Sequence, residues 1–162
     1  MNEAGLLQFQ PRRSGLLPIL VVDDSDDDFD TIALAARNAC VSNPLVHARD
    51  ADEARRMLSS PPDIAYAFML LDCSLPGEDG LSLLEALRQD PMHGGMPVIV
   101  HTASINPRDR NAFYAAGANA YHVKVVNFAE GLANLENVFR YWLTQVILPT
   151  THASPTRKQT WL

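Results

Sequence analysis

The chain has 162 residues, of which 47% are apolar and 20% are charged, and its formal net charge is −6. This length and composition are typical of one globular domain with a substantial core, and they exclude a disordered or fibrous chain. The acidic charge argues against nucleic-acid binding, and two cysteines, Cys40 and Cys73, are too few for a disulfide framework or a four-thiolate metal site. No apolar run is long enough for a membrane helix and the amino end lacks a secretory signal pattern, so we expect a cytoplasmic protein without a membrane partner.

Five short apolar runs alternate with segments of helical period along the chain. The runs are typical of strands buried on both faces, and they occupy 18–22, 45–48, 66–71, 98–101 and 121–123. The helical segments follow at 29–40, 51–58, 81–87, 111–116 and 132–146. This alternation predicts an α/β fold in which a parallel five-stranded sheet is doubly wound as (βα)5, as in flavodoxin-like proteins. We expect this domain to span 16–148, with tails at 1–15 and 149–162.

Polar and charged side chains follow four of the five predicted strands. The first strand runs into Asp23 and Asp24, the third into Asp72, the fourth ends at Thr102, and the fifth at Lys124. Parallel sheets of this kind bind ligands beyond the carboxyl ends of their strands, so we expect these side chains to lie together. Three carboxylates suit a hard cation such as Mg²⁺, while a hydroxyl and an ammonium suit an anion. A carboxylate nucleophile between such groups is the arrangement that phosphoryl transfer requires.

The motifs around these residues resemble those of the receiver domains of two-component response regulators. The spacings are similar as well: Asp72 follows Asp24 by 48 residues, and Thr102 and Lys124 follow Asp72 by 30 and 52. The resemblance covers 16–148, and its motifs are the acidic pair within 20–25 and the segments 70–80, 101–104 and 121–124.

The resemblance implies that Asp72 is the phosphoacceptor, taking a phosphoryl group from a histidine of a sensor kinase. Asp24 and Asp72 would ligate Mg²⁺ directly, together with the backbone carbonyl of Ser74, and Asp23 would act largely through water. A protein of this kind catalyses its own phosphorylation and dephosphorylation and is not otherwise an enzyme.

The resemblance also assigns roles to the far side of the site. Thr102 would bind a phosphoryl oxygen, Lys124 would pair with the carboxylate or the phosphate, and Tyr121 would be an aromatic switch whose rotamer follows the Thr102 hydroxyl. One departure from the family lies here, because receiver domains usually follow this lysine with a proline in a cis peptide bond. Val125 stands in that place, and since a non-prolyl cis bond costs about 2.5–4 kcal/mol, we expect a trans peptide.

A narrower resemblance concerns the end of the last helix, 140–149. It is similar to the small stand-alone regulators partnered with phytochrome histidine kinases, which lack an output domain and usually form homodimers through the fourth helix, fifth strand and fifth helix. Apolar residues off the main stripe of this helix favour a partner surface, and the predicted dimer interface contains Tyr141, Trp142 and Ile147. A carboxyl-terminal arm anchored by Trp161 could exchange between protomers.

Three other functions compete with a phosphoacceptor. A haloacid-dehalogenase-type phosphohydrolase needs a second acid two residues after the nucleophile, where Ser74 stands. A flavodoxin-like binding module needs a phosphate cradle, whereas the loop after the first strand is acidic. A degenerate receiver that only scaffolds partners is favoured by Val125 alone.

Several further residues near the motifs are interpreted as structural. The acids at 26, 27, 28 and 30 are taken to complement a helix amino terminus, and Cys73 is taken as a small buried residue. The strand residues His101 and His122 are interpreted as packed side chains, and His47 has no visible partner.

Overall fold

The computed structural model describes residues 16–59 and 65–149 of the chain. Its strands are β1 (Ile19–Val22), β2 (Leu45–Ala48), β3 (Met69–Leu71), β4 (Val98–Thr102) and β5 (Ala120–Val123). Its helices are α1 (Asp26–Asn38), α2 (Ala51–Leu58), α3 (Gly80–Gln89), α4 (Pro107–Ala115) and α5 (Phe128–Arg140). The strands form one parallel sheet in the order β2-β1-β3-β4-β5, which confirms the predicted (βα)5 fold. The tail 1–15 and the proposed arm at Trp161 lie outside the described residues.

The sheet is buried on both faces because successive strand residues point to opposite sides and each side is covered by helices. On one side, Leu20 and Val100 pack with residues of α2, α3 and α4, including Phe113. On the other side, Val21 and Ile99 pack with residues of α1 and α5. Three buried polar side chains, Asp23, Asp72 and Thr102, lie at the carboxyl edge of this sheet.

Each of the five helices begins at a polar side chain that accepts a backbone N–H of the first turn. These N-caps are Ser25, Asp50, Asp79, Asn106 and Asn127. The cap at Asn106, with Pro107 at the first helical position, starts α4 four residues earlier than the apolar pattern at 111–116 predicts.

The last helix differs from the single continuous helix predicted as far as Val146. Its α-helical part ends at Arg140, and a turn of π-helix, Tyr141–Gln145, follows, which we call the π-turn. The wider turn is closed by the Val146 N–H, which donates to the Tyr141 carbonyl at 3.2 Å. Trp142 and Leu143 then both pack against the α1–α5 core, whereas Tyr141 stays exposed.

Candidate functional site

Three carboxylates converge on the ammonium of Lys124 at the carboxyl edge of the sheet. Lys124 Nζ lies 2.6 Å from Asp72 Oδ2 and 2.8 Å from Asp23 Oδ2. A third carboxylate, Asp28 Oδ2, lies 2.8 Å from the same nitrogen. An ammonium has three hydrogens to donate, so this one is fully used by the three acids. The structure therefore brings together three of the predicted site residues, and it adds Asp28, which the sequence analysis interprets as a helix-terminal charge.

The carboxylate of Asp28 is available because a common capping arrangement is only half formed. The N-cap Ser25 accepts the Asp28 N–H at 3.1 Å, and in a full capping box the acid three residues on would bind the N-cap N–H in return. Here the Ser25 N–H instead donates to Asp23 Oδ1 at 2.9 Å. Asp28 is thus free to reach across to Lys124, and the interpretation of Asp28 as only a helix-terminal charge is wrong.

Asp23 is fixed by its backbone as well as by its side chain. His47 Nε2 lies 2.7 Å from the Asp23 carbonyl oxygen, and since a carbonyl only accepts, this nitrogen carries the hydrogen. The His47 ring also stacks on Phe29, with centroids 4.1 Å apart. His47, which shows no partner in the sequence, therefore holds the residue that carries a buried carboxylate.

The loop after β3 holds the other oxygen of Asp72. The Ser74 N–H donates to Asp72 Oδ1 at 3.1 Å, and the Gly80 N–H donates to the Cys73 carbonyl at 2.9 Å. A Cβ on Gly80 would lie 2.3 Å from the Asp72 carbonyl oxygen, so only glycine allows α3 to begin this close to the strand. Both carboxylate oxygens of Asp72 are therefore held in place.

The side of the site away from the acids contains hydroxyl and thiol groups. Thr102 is buried, and its Oγ1 accepts the Ser104 N–H at 3.3 Å. The Tyr121 hydroxyl donates to the Ser104 carbonyl at 3.1 Å and lies 3.7 Å from Cys73 Sγ. Burial raises the pKa of the Cys73 thiol and raises the pKa of Tyr121 to about 12, so both groups keep their protons at neutral pH.

Burial and the contacts with Lys124 shift the pKa values of groups on the acidic side of the site. Burial raises the pKa of Asp23 above its ordinary value, although hydrogen bonds from Lys124 and Ser25 oppose this. Burial alone would lower the pKa of Lys124, but its hydrogen bonds to Asp23, Asp28 and Asp72 outweigh burial and raise that pKa. The ammonium therefore remains charged throughout the neutral range.

The chemistry of the donor set fits a hard divalent cation. Oxygens of Asp23, Asp28 and Asp72 lie within 4.8 Å of one another, and carboxylate oxygen is the ligand that Mg²⁺ prefers. The carboxylate of Asp24, an exposed residue that follows β1, is not in this group. The structure thus gathers a set of acids that overlaps the predicted one and differs from it by Asp28 in place of Asp24.

The segment after Lys124 follows the sequence-based expectation. No peptide bond among the described residues is cis, so Lys124 and Val125 are joined in trans. The Lys124 N–H donates to the Thr102 carbonyl at 2.7 Å, which fixes the lysine backbone beside β4.

His101 lies behind the acidic side, one residue before Thr102 on the opposite face of β4. It lines a small cavity with Asp28, Lys124 and residues of the β5–α5 segment. Its Nδ1 is buried and has no hydrogen-bond partner among the residues that the structure describes, and burial lowers the pKa of His101 to about 4. The imidazole is neutral at pH 7, in agreement with its interpretation as a packed side chain.

Comparisons with known proteins agree with this geometry. The family model described as the response regulator receiver domain matches residues 19–136. Response regulator Rcp1 of Synechocystis sp. is 29% identical over 135 residues, which cover 81% of this chain and 92% of that protein. The structure of the phosphorylated cyanobacterial phytochrome response regulator RcpA has a TM-score of 0.78 at 29% identity and covers 83% of this chain and 99% of that one. The Mn²⁺-bound form of Rcp1 has a TM-score of 0.76 at 28% identity, with 82% and 99% covered.

Proposed function

Because the chain belongs to the response regulator receiver domain family, we propose that it accepts a phosphoryl group on Asp72 from a sensor histidine kinase. The observation that carries the proposal is the contact between Lys124 Nζ and Asp72 Oδ2 at 2.6 Å, the shortest of the three ion pairs that this ammonium makes. The phosphorylated protein then signals by protein contact or by onward phosphotransfer.

The proposed transfer uses groups already in place. A carboxylate oxygen of Asp72 attacks phosphorus, the new O–P bond forms as the P–N bond to the kinase histidine breaks, and the imidazole leaves with a proton. Lys124 and the Thr102 hydroxyl would bind the phosphoryl oxygens, whose charge must be neutralised during transfer. The protein changes only its own phosphorylation state in this scheme.

We assign Mg²⁺ as the cofactor. Asp24, Asp72 and the Ser74 carbonyl would hold the ion directly, and Asp23 would hold it largely through water. When bound, Mg²⁺ neutralises charge between the acceptor and the phosphoryl oxygens. Two of these acids, Asp23 and Asp72, belong to the acidic cluster at this edge. The similar protein Rcp1 has a structure in a Mn²⁺-bound form, and both observations support the choice of a divalent cation.

The test is the intact mass of the protein after incubation with Mg²⁺ and acetyl phosphate. The wild type is expected to gain one phosphate, and Asp72→Asn is expected to gain none. Asp30→Asn is the matched control, because it removes an exposed acid of α1 and should phosphorylate normally. If the wild type gains nothing, either from acetyl phosphate or from a histidine kinase, the scaffold function replaces this proposal.

Tyr121 is the proposed switch residue. Phosphorylation adds about −1.5 to −2 charge and strong acceptor oxygens at Asp72, which would draw the Thr102 hydroxyl. The carbonyl that holds the Tyr121 hydroxyl belongs to Ser104, two residues after Thr102. Movement of this segment would therefore release the ring.

The proposed partners are a phytochrome-type histidine kinase and a second copy of this chain. The kinase assignment rests on the similarity to RcpA, a cyanobacterial phytochrome response regulator. For the homodimer, α4, β5 and α5 form the surface, with Trp142 half-buried beside the exposed Tyr141 and Ile147, which are 57% and 98% exposed. Tyr141→Asp and Ile147→Asp should each shift gel-filtration elution to monomer size, and dimer elution by both variants would contradict the assignment.

The cellular location of the protein is proposed from its charge and its cysteines. In the described part of the chain, no helix combines the length and apolar character needed to span a membrane. We place the protein in the cytoplasm, without nucleic-acid partners, in keeping with its acidic charge and with two free thiols, Cys40 and Cys73.

A further inference from the structure

Asp28 differs from the other two acids that bind Lys124 in its exposure and in its origin. The side chains of Asp23 and Asp72 are 3% and 10% exposed, whereas that of Asp28 is 42% exposed. Asp28 also comes from the first turn of α1 rather than from a strand end. It can therefore exchange its bond to the ammonium for bonds to water at little cost, and the two buried acids cannot.

A phosphoryl group on Asp72 would compete with the present carboxylate partners of Lys124 for its N–H groups. The ammonium has three donors, each taken by one carboxylate. A phosphoryl group on Asp72 brings three strong acceptor oxygens to the same place, and pairing with them by more than one N–H requires a carboxylate other than Asp72 to give up its bond. Asp28 is the acid for which that loss costs least.

We propose that Asp28 is a positioning residue that holds Lys124 in the unphosphorylated protein and releases it when Asp72 carries a phosphoryl group. This inference rests on the proposed function, and it assigns a regulatory role within that site. Because the Asp28–Lys124 pair exists only before phosphorylation, it stabilises the resting state. Asp28 therefore lowers the affinity of the site for a phosphoryl group.

The neighbouring acids of α1 provide a matched control. Asp27 lies on the same turn and is exposed, and its carboxylate makes no hydrogen bond or ion pair with any described residue, whereas its carbonyl accepts from Thr31. Asp27→Asn thus removes the same charge from the same helix terminus without affecting Lys124. Asp28→Glu keeps a carboxylate that can still reach the ammonium.

The experiment measures the affinity for fluoroberyllate, which mimics a phosphoryl group on a carboxylate, by ¹⁹F NMR at saturating Mg²⁺. We expect Asp28→Asn to bind it about two- to fivefold more tightly than the wild type, a factor that corresponds to one exposed ion pair. Asp27→Asn and Asp28→Glu should bind like the wild type. An unchanged affinity in Asp28→Asn, or an equal gain in Asp27→Asn, would overturn the proposal.

A crystal structure of the wild-type protein with fluoroberyllate and Mg²⁺ separates positioning from simple charge repulsion. We expect the Asp28 carboxylate to lie more than 4 Å from Lys124 Nζ in that complex. If the affinity rises in Asp28→Asn but the pair is intact in the complex, Asp28 acts only by its charge and the positioning role is wrong. Failure of the wild type to bind fluoroberyllate, or equal binding by Asp72→Asn, would instead refute the proposed function itself.

Discussion

The two sides of the site are held in different ways. On the acidic side, Lys124 makes three ion pairs of 2.6–2.8 Å, and every donor of the ammonium is used. On the hydroxyl side, Thr102 Oγ1 accepts the Ser104 N–H at 3.3 Å, and the Tyr121 hydroxyl contacts the Ser104 carbonyl at 3.1 Å and Cys73 Sγ at 3.7 Å. The acidic side is thus preorganised for charge, whereas the hydroxyl side can rearrange at small cost.

The largest effect is expected when Lys124, the cation shared by the three acids, is replaced. Lys124→Met leaves three carboxylates with oxygens within 4.8 Å of one another and no counter-charge among them. We expect the free energy of unfolding at pH 7 to fall by about 3–5 kcal/mol, the range for breaking a buried ion pair from one side. Denaturant unfolding measures it.

The pH dependence of the same variant supplies the control. Since the loss comes from repulsion between ionised acids, and burial raises the pKa of Asp23, the difference in unfolding free energy between Lys124→Met and the wild type should shrink as pH falls from 7 towards 4. A gap that is constant with pH, or no gap at pH 7, would show that the acidic side is not organised by charge.

An intermediate effect is expected at His101, behind the acidic side. Its pKa of about 4 in the folded protein lies below the ordinary value of 6.5, so the folded state disfavours the protonated ring. The associated stability is fully present above pH 6.5 and is lost as pH falls through the interval to 4, by about 3 kcal/mol in total. His101→Gln should remove this pH-dependent part of the unfolding free energy. The measurement compares the unfolding free energies of the variant and the wild type from pH 7 to pH 4.

An NMR titration of the His101 ring checks the cause directly. A titration midpoint near pH 6.5 would show that the cavity beside Lys124 tolerates a protonated imidazole as a second cation. The charge of the acidic side would then not depend on Lys124 alone.

The smallest effect is expected on the hydroxyl side. Tyr121→Phe removes the hydrogen bond to the Ser104 carbonyl and the contact with Cys73. We expect the free energy of unfolding to fall by about 1 kcal/mol. Tyr114→Phe is the matched control, because Tyr114 packs beside Tyr121 but is 48% exposed. If Tyr121→Phe lost as much unfolding free energy as Lys124→Met, the hydroxyl side would be held as firmly as the acidic side.

The main site residues could be predicted because strand ends are readable in a sequence. Continuous apolar runs locate the strands of a parallel sheet, and its carboxyl edge then brings Asp23, Asp72, Thr102 and Lys124 together. The same pattern predicts the fold, since both faces of such a sheet must be covered by helices.

The contributions of Asp28 and His47 could not be predicted in the same way. Ser25 and Asp28 have the spacing of a capping box, and only the placement of Asp23 Oδ1 on the Ser25 N–H shows that the box is half formed. His47 lies inside a strand, where its partner depends on the register of β2 against β1. The π-turn has a similar cause, because an apolar stripe continues through it and only packing decides whether the turn widens.

The close approach at Gly80 has a consequence for anyone who diversifies this chain by mutagenesis. Asp72 and Gly80 are eight positions apart, yet a methyl group on Gly80 would collide with the backbone carbonyl of Asp72. A library that randomises the loop between them, from Cys73 to Asp79, can change its chemistry freely only while position 80 is kept constant. In a selection for phosphorylation, codon 80 should therefore return to glycine as strictly as codon 72 returns to aspartate, although glycine has no side chain that could act in the reaction.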